Sequence, residues 1–283
     1  MTDARTLRIE IQFDGTEFEG WQRQKSGRTV QGELEAALER VLGEPHTVVG
    51  CGRTDAGVHA RHLVASCRTS HAMPADDLRR ALDAVLPDDV GVLRVADASS
   101  TFHAQRDAAW KWYRYTILVA RRKEPLRRRT TLRLGAVPPL ERLAAAASSL
   151  VGEHDFRSFA NTGSSPGAST VRHVRSLRWS ETETEIPGGR LLHLDVVGDG
   201  FLYKMVRTLV GTMLQAGATR DPAGATAQVL AACDREAAGP AVPAVGLTLM
   251  AVAVRGEAPP SWVPETLLPS VESGAHRAIG GTS

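Results

Sequence analysis

The chain has 283 residues, of which 42% are hydrophobic and 23% charged, and its formal net charge is +2. This is the composition of an ordinary globular chain, long enough for one large domain or two moderate ones, and its net charge alone does not announce a nucleic-acid binder. No apolar run approaches the roughly 18 residues a membrane span needs, and the chain opens with no signal-like segment. Three cysteines, Cys51, Cys67 and Cys233, share no metal-type spacing and predict reduced thiols in the cytoplasm.

In chain order, Thr6 to Phe13 alternates as a half-buried strand, with Leu7, Ile9, Ile11 and Phe13 on one side. Thr29 predicts a helix cap, with Leu34, Leu38, Val41 and Leu42 on one face and Gly43 as the stop. Thr47 to Gly50 and His62 to Arg68 read as strands, Pro74 to Val85 as a helix, and Gly91 to Ala96 as a strand. A long strand follows from Ala108 to Ala120. Its period puts Lys111, Tyr113, Tyr115 and Ile117 on one face and Trp110, Trp112 and Arg114 on the other. Such aromatics serve either sheet packing or, with cations interleaved, base stacking.

Six basic residues crowd the stretch 121–129. Taken alone it is a solvated loop; it also suits phosphate contacts. Beyond it, Pro138-Pro139 opens a helix to Leu150, and 161–169 is a Gly/Ser loop. Thr170 to Ser180 and Arg190 to Val197 are strands, and a helix runs from about Leu202 to Ala216. Asp221-Pro222 starts another helix, Leu247 to Val254 is a last strand, and 257–283 reads as a loose tail. The organisation expected is an N-terminal catalytic subdomain (1–120), a basic linker (121–135), a C-terminal subdomain (136–256) and the tail. The class is α+β: two subdomains of similar plan whose antiparallel or mixed sheets join into one central sheet flanked by helices.

The stretch Gly50 to His59 sets three glycines, Arg53 and Asp55 between two β-rich runs. A lone Asp in a Gly-rich loop is by default a turn residue. No closed metal-ligand pattern, Walker loop or dinucleotide fingerprint accompanies it, and Cys51 reads as a small buried hydrophobe. A single carboxylate with no near second one fits two-carboxylate glycosidase chemistry poorly. It does suit a nucleophile or base kept ionised by a cation, with Arg53 and Arg207 as candidates.

Gly52-Arg53-Thr54-Asp55-Ala56-Gly57-Val58-His59 resembles the signature of the tRNA pseudouridine synthase A family. It is accompanied in order by Asp14-Gly15, Gly20-Trp21-Gln22-Arg23-Gln24, Thr29-Val30-Gln31, Phe102-His103-Ala104, Tyr113-Arg114-Tyr115, Asp155-Phe156-Arg157-Ser158-Phe159, Phe201 with Met205-Val206-Arg207, and Gly246-Leu247. The resemblance implies a pseudouridine synthase-like fold and conversion of uridine to pseudouridine in tRNA, in the anticodon stem-loop at about positions 38 to 40. It implies no metal and no organic cofactor. Asp55 matches the catalytic aspartate, Tyr113 the tyrosine on the target base, and Arg207 the basic partner of the carboxylate. Arg53 would hold the flipped nucleotide's place in the duplex. A homodimer with tRNA lying across both subunits is implied too, with Arg23, Gln24, His59, Arg106, Arg127, Arg128 and Arg129 as RNA contacts. The chain departs from the family pattern at Gln105, Trp112 and Val245, which bear on RNA contacts and substrate range. An RNA-binding protein or chaperone without catalysis, or a synthase acting on another RNA, are the alternatives.

Overall fold

A computed structural model describes residues 4–161 and 169–267. The Gly/Ser loop at 162–168 and the tail from 268 lie outside the described residues. Among those described are strands β1 (Arg5–Phe13), β2 (Val48–Gly50), β3 (His59–Thr69), β4 (Val90–Ala98), β5 (Ala108–Val119), β6 (Leu132–Leu134), β7 (Gly152–Asp155), β8 (Val171–Glu183), β9 (Arg190–Gly198) and β10 (Leu247–Val254). The helices are α1 (Val30–Leu42), α2 (Ala75–Val85), α3 (Leu140–Ser148), α4 (Met205–Ala216) and α5 (Pro222–Ala232). No helix among these residues is long and apolar enough to cross a membrane.

The strands make one mixed sheet in the order β4-β1-β3-β10-β5-β9-β8-β7, with β2 on β3 and β6 on β5. Its ladders are antiparallel except β10 on β3 and β6 on β5. The last strand is therefore the seam. It enters between β3 and β5 and joins the strands of the two halves of the chain. Although β5 follows the N-terminal strands in sequence, its long ladder is with β9.

Alternation decides what each strand buries. Leu7, Ile9 and Ile11 of β1 are fully buried in the main core, with Tyr113, Tyr115 and Ile117 of β5. The helices close that core with apolar stripes: Leu34 and Leu38 of α1, Leu78 and Leu82 of α2, Leu209, Val210 and Met213 of α4. Local signals set the helix ends. Thr29 Oγ1 accepts from the Gly32 N–H to cap α1, and Asp221 does the same for α5 through Gly224.

Three differences from the sequence expectation have physical causes. Helix α4 starts at Met205, not Leu202, because Lys204 adopts φ 59° and interrupts helical geometry. Residues 152–155 form a strand, β7, that carries no apolar alternation and depends on pairing with β8. The first part of the tail is not loose. Val263 and Leu267 are buried against Trp110, Trp112, Val197, Ala251 and Ala253 on the sheet face opposite Tyr113. Trp262 meets His62 edge-to-face, with ring centroids 5.4 Å apart. Trp110 and Trp112 thus serve packing, and Trp112 Nε1 donates to Asp195 Oδ1 at 2.7 Å.

Candidate active site

The loop from Cys51 to Val58 is held by the segment that follows β1. Trp21 N–H donates to Thr54 O at 3.0 Å, and Gly57 N–H to Phe18 O at 3.2 Å. Cys51 N–H donates to Val64 O at 2.8 Å, anchoring the loop's start on β3. Two glycines allow the segment to lie this close. A Cβ on Gly15 would stand 2.0 Å from Val58 O, and one on Gly20 would stand 2.5 Å from Thr54 O. Gly20 also sits at φ +96°, a conformation open to glycine and costly for other residues.

His59 closes the clamp. Its Nδ1 accepts from the Gly15 N–H at 3.1 Å and faces Asp14 Oδ1 at the same distance. Its Nε2 reaches Val245 O at 3.3 Å. With the residue 5% exposed, the ring is consumed inside the protein. The expected RNA contact at His59 is corrected accordingly: the imidazole braces the loop.

Asp55 projects from this loop toward α4. Arg207 Nη1 donates to Asp55 Oδ2 at 3.3 Å, while Arg207 Nε is fixed on Val242 O at 2.7 Å. The two side chains are 17% and 14% exposed. Burial pushes the Asp55 pKa above the usual carboxylate value, and it outweighs Arg207 and Lys204, which pull it down.

Tyr113 reaches the same place through the seam. Leu249 of β10 pairs with Ala60 of β3 on one side and Tyr113 of β5 on the other. A residue just past the Asp55 loop and one in mid-β5 are thereby only two strands apart. The Tyr113 ring packs edge-to-face on Phe201, with centroids 5.3 Å apart and planes at 88°. Burial, chiefly, drives its phenol pKa well up, so the ring is a neutral surface.

Asp55, Tyr113 and Phe201 line a cleft of about 530 Å³, which Arg207 meets only through its bond to Asp55. Arg53, Lys111, Arg172 and Lys204 all border it, with Asp55 as its acidic residue. Sequence reasoning placed Lys111 on the Tyr113 face and singled out Phe201. It did not bring Arg172 or Lys204 to the site, because Arg172 arrives on β8 through strand pairing and Lys204 through the left-handed turn that precedes α4. Gln105, a departure from the family pattern, lines the cleft; Arg106 does not.

The remaining expected contacts lie outside the cleft. Arg23 is exposed and paired with Glu35 at 3.1 Å, and Gln24 donates to Glu19 O. Arg127 pairs with Glu185, and Arg129 with Glu17 and Asp14, while Arg128 donates to Pro125 O. Arg121, Arg122 and Lys123 are exposed and form no ion pair among the described residues.

A protein-family model described as tRNA pseudouridine synthase matches residues 9–105 and 146–253. A tRNA pseudouridine synthase A of Citrifermentans bemidjiense is 41% identical over 249 residues, covering 88% of this chain and 97% of the relative. One from Moorella thermoacetica is 43% identical over 245 residues, covering 86% and 97%. Among solved structures, an archaeal box H/ACA sRNP Nop10-Cbf5 complex overlaps 74% of this chain and 43% of that one. Its TM-score of 0.36 at 15% identity is too loose an overlap to bear on the site. The sequence matches, extended over nearly the whole length of their relatives, establish the kinship: the chain belongs to the tRNA pseudouridine synthase family.

Proposed function

We propose that the protein isomerises uridine to pseudouridine in tRNA, within the anticodon stem-loop at about positions 38 to 40, with Asp55 as the reacting carboxylate. The observation that carries this reading is the Asp55–Arg207 pair set opposite the Tyr113 ring in a cleft bordered by four further cations. A binding protein needs the cations; it has no use for a half-buried carboxylate among them.

The reaction breaks the C1′–N1 bond and forms C1′–C5. The hydrogen on C5 leaves as a proton and N1 gains one, so the product is an isomer and no electrons are exchanged. A base inside a helix cannot turn in place, so the nucleotide is flipped out at a cost of a few kcal/mol. Tyr113 gives the extruded uracil a flat, neutral face that tolerates rotation. Arg53, exposed at the cleft mouth, takes the vacated place in the duplex, and Lys111 and Arg172 meet the flanking phosphates. Asp55, fixed by Arg207 and the clamped loop, is presented with little reorganisation left to do.

Tritium release from C5-labelled tRNA transcripts tests this. The wild-type protein is expected to release label, and Asp55→Asn to lower release by at least about a thousandfold with tRNA affinity within about threefold. Undiminished release in the variant would overturn the role of Asp55. Tight binding with no release from any tRNA would favour a chaperone instead. The homodimer and the cytoplasmic location that go with this reading are tested by light scattering and cell fractionation.

A further inference from the structure

Lys204 differs from the other cleft residues in its backbone. It sits at φ 59° and ψ 11°, in the left-handed region, immediately before α4. Among the described residues Cys233, at φ 48°, is the other non-glycine residue with positive φ. Cys233 ends a helix, where a left-handed residue is a common stop. Lys204 precedes one, where the usual conformation is extended and the usual residue caps with its side chain. The Lys204 side chain makes no cap bond and no ion pair among the described residues. Its ammonium lies 4.9 Å from the centroid of the Tyr203 ring, at the border of the Asp55 cleft. Glycine takes this turn freely and asparagine nearly so. A long cation held there, in a cleft, marks a site where function opposes local preference.

We propose that Lys204 is a positioning residue for Asp55, its ammonium held at the head of α4 so that the reacting carboxylate is set between two cations rather than one. This rests on the role given to Asp55 above. Arg207, one turn further along α4, is committed to Val242 O and bonds a single carboxylate oxygen, Oδ2. Oδ1 takes no hydrogen bond among the described residues, which leaves one side of the carboxylate for a second charge. The other groups around the cleft are Arg53 and the Cys51 thiol from Asp55's own loop, Lys111 and Tyr113 from β5, and Arg172 from β8. Of the cations, Arg207 and Lys204 are the two whose fields draw the Asp55 pKa down against burial.

The test uses the full chain with Lys204→Met, Lys204→Arg and Lys204→Gly. Titration of the Asp55 carboxyl by carbon NMR, with Asp55→Asn identifying the signal, needs no turnover. Lys204→Met is expected to move the midpoint upward by roughly half a pH unit to one unit, and Lys204→Arg to leave it near wild type. The acid limb of kcat/KM for tritium release follows the same order. Lys204→Gly shifts the midpoint as Met does, yet melts at or above the wild-type temperature, because the turn is relieved. An unmoved midpoint in Lys204→Met, with KM raised and the acid limb unchanged, would make Lys204 a phosphate contact and overturn the proposal. Loss of thermal stability in Lys204→Gly with the midpoint unmoved would make it a structural residue and overturn it equally. If the midpoint moves but wild type releases no tritium, the electrostatic inference stands and the assignment of the reaction fails.

Discussion

The Asp55 loop at 51–58 and the basic loop at 121–129 are both short polar stretches, and they are built in opposite ways. The first has its backbone tied to Trp21, Phe18 and Val64, with glycines packed against it at distances that admit no side chain. The second stands out from the sheet. Leu126 is 92% exposed, and the loop's own tight turn and the surface ion pairs of Arg127 and Arg129 with Glu185, Glu17 and Asp14 steady it. Bond rearrangement needs reacting groups placed to within fractions of an ångström, and misplacement costs orders of magnitude in rate. Attraction to a phosphate backbone needs only charge within a screening length, so a loosely held loop suffices.

Of the changes that bear on how the two loops are built, the largest effect is expected from breaking the first loop's clamp. Gly20→Ala puts a Cβ against Thr54 O in a conformation unfavourable to alanine. It is expected to cost about 2 kcal/mol or more of stability and to lower kcat for tritium release at least about tenfold. Thermal melting and single-turnover rates measure both; wild-type values for the two would mean the clamp does not position Asp55.

A smaller effect is expected from the second loop. Replacing Arg121, Arg122 and Lys123 together by alanine should lower the slope of log affinity against log salt by about 2, with the single-turnover rate at saturation unchanged. Replacing Arg127 and Arg129 should lower it less, because carboxylates already neutralise them. Filter binding across a salt series separates the two sets. A larger loss from the 127/129 pair would show that those ion pairs open when RNA binds.

The smallest effect concerns stability and pH. Since the folded-state pKa of Asp55 is raised, the folded chain keeps this proton over a range where the unfolded chain has lost it. Stability then falls as pH rises from the unfolded value of about 3.9 through the folded one, and above both the ionised group is a net cost. Asp55→Asn is therefore expected to raise the melting temperature at pH 7, with the gain gone at pH 3. Calorimetry at the two values checks the sign, and a lower Tm at pH 7 would mean that Arg207 outweighs burial.

Much of the fold was legible because β1, β5, α1 and α4 carry strong periods, and because Thr29, Gly43 and Asp221 sit where caps and stops require them. The Asp55 loop was legible through its glycines, and the family resemblance ordered the rest. Three features were not legible. His59 reads like any polar residue beside a loop, and only the packed segment at Gly15 shows that its ring faces inward. The aromatics of β5 read as a possible stacking platform, whereas Trp110 and Trp112 are covered by Val263 and Leu267, from a stretch whose composition suggests no packing. Arg172 and Lys204 join the cleft through contacts between distant parts of the chain, which period and spacing do not encode.

The position of β10 has a consequence for the order of events in the cell. Synthesis is vectorial, and of the described strands the one between β3 and β5 is made after all the others. Until residues 247–254 emerge, β3 at His59–Ala60 and β5 from Ala108 to Tyr115 lack a partner on one side, and exposed strand edges are prone to misassociation. Asp55 and Tyr113, made much earlier, have no register between them before that point. A polypeptide released short of residue 247 carries every residue of the Asp55–Tyr113–Arg207 set but lacks the strand through which β3 and β5 are held in register.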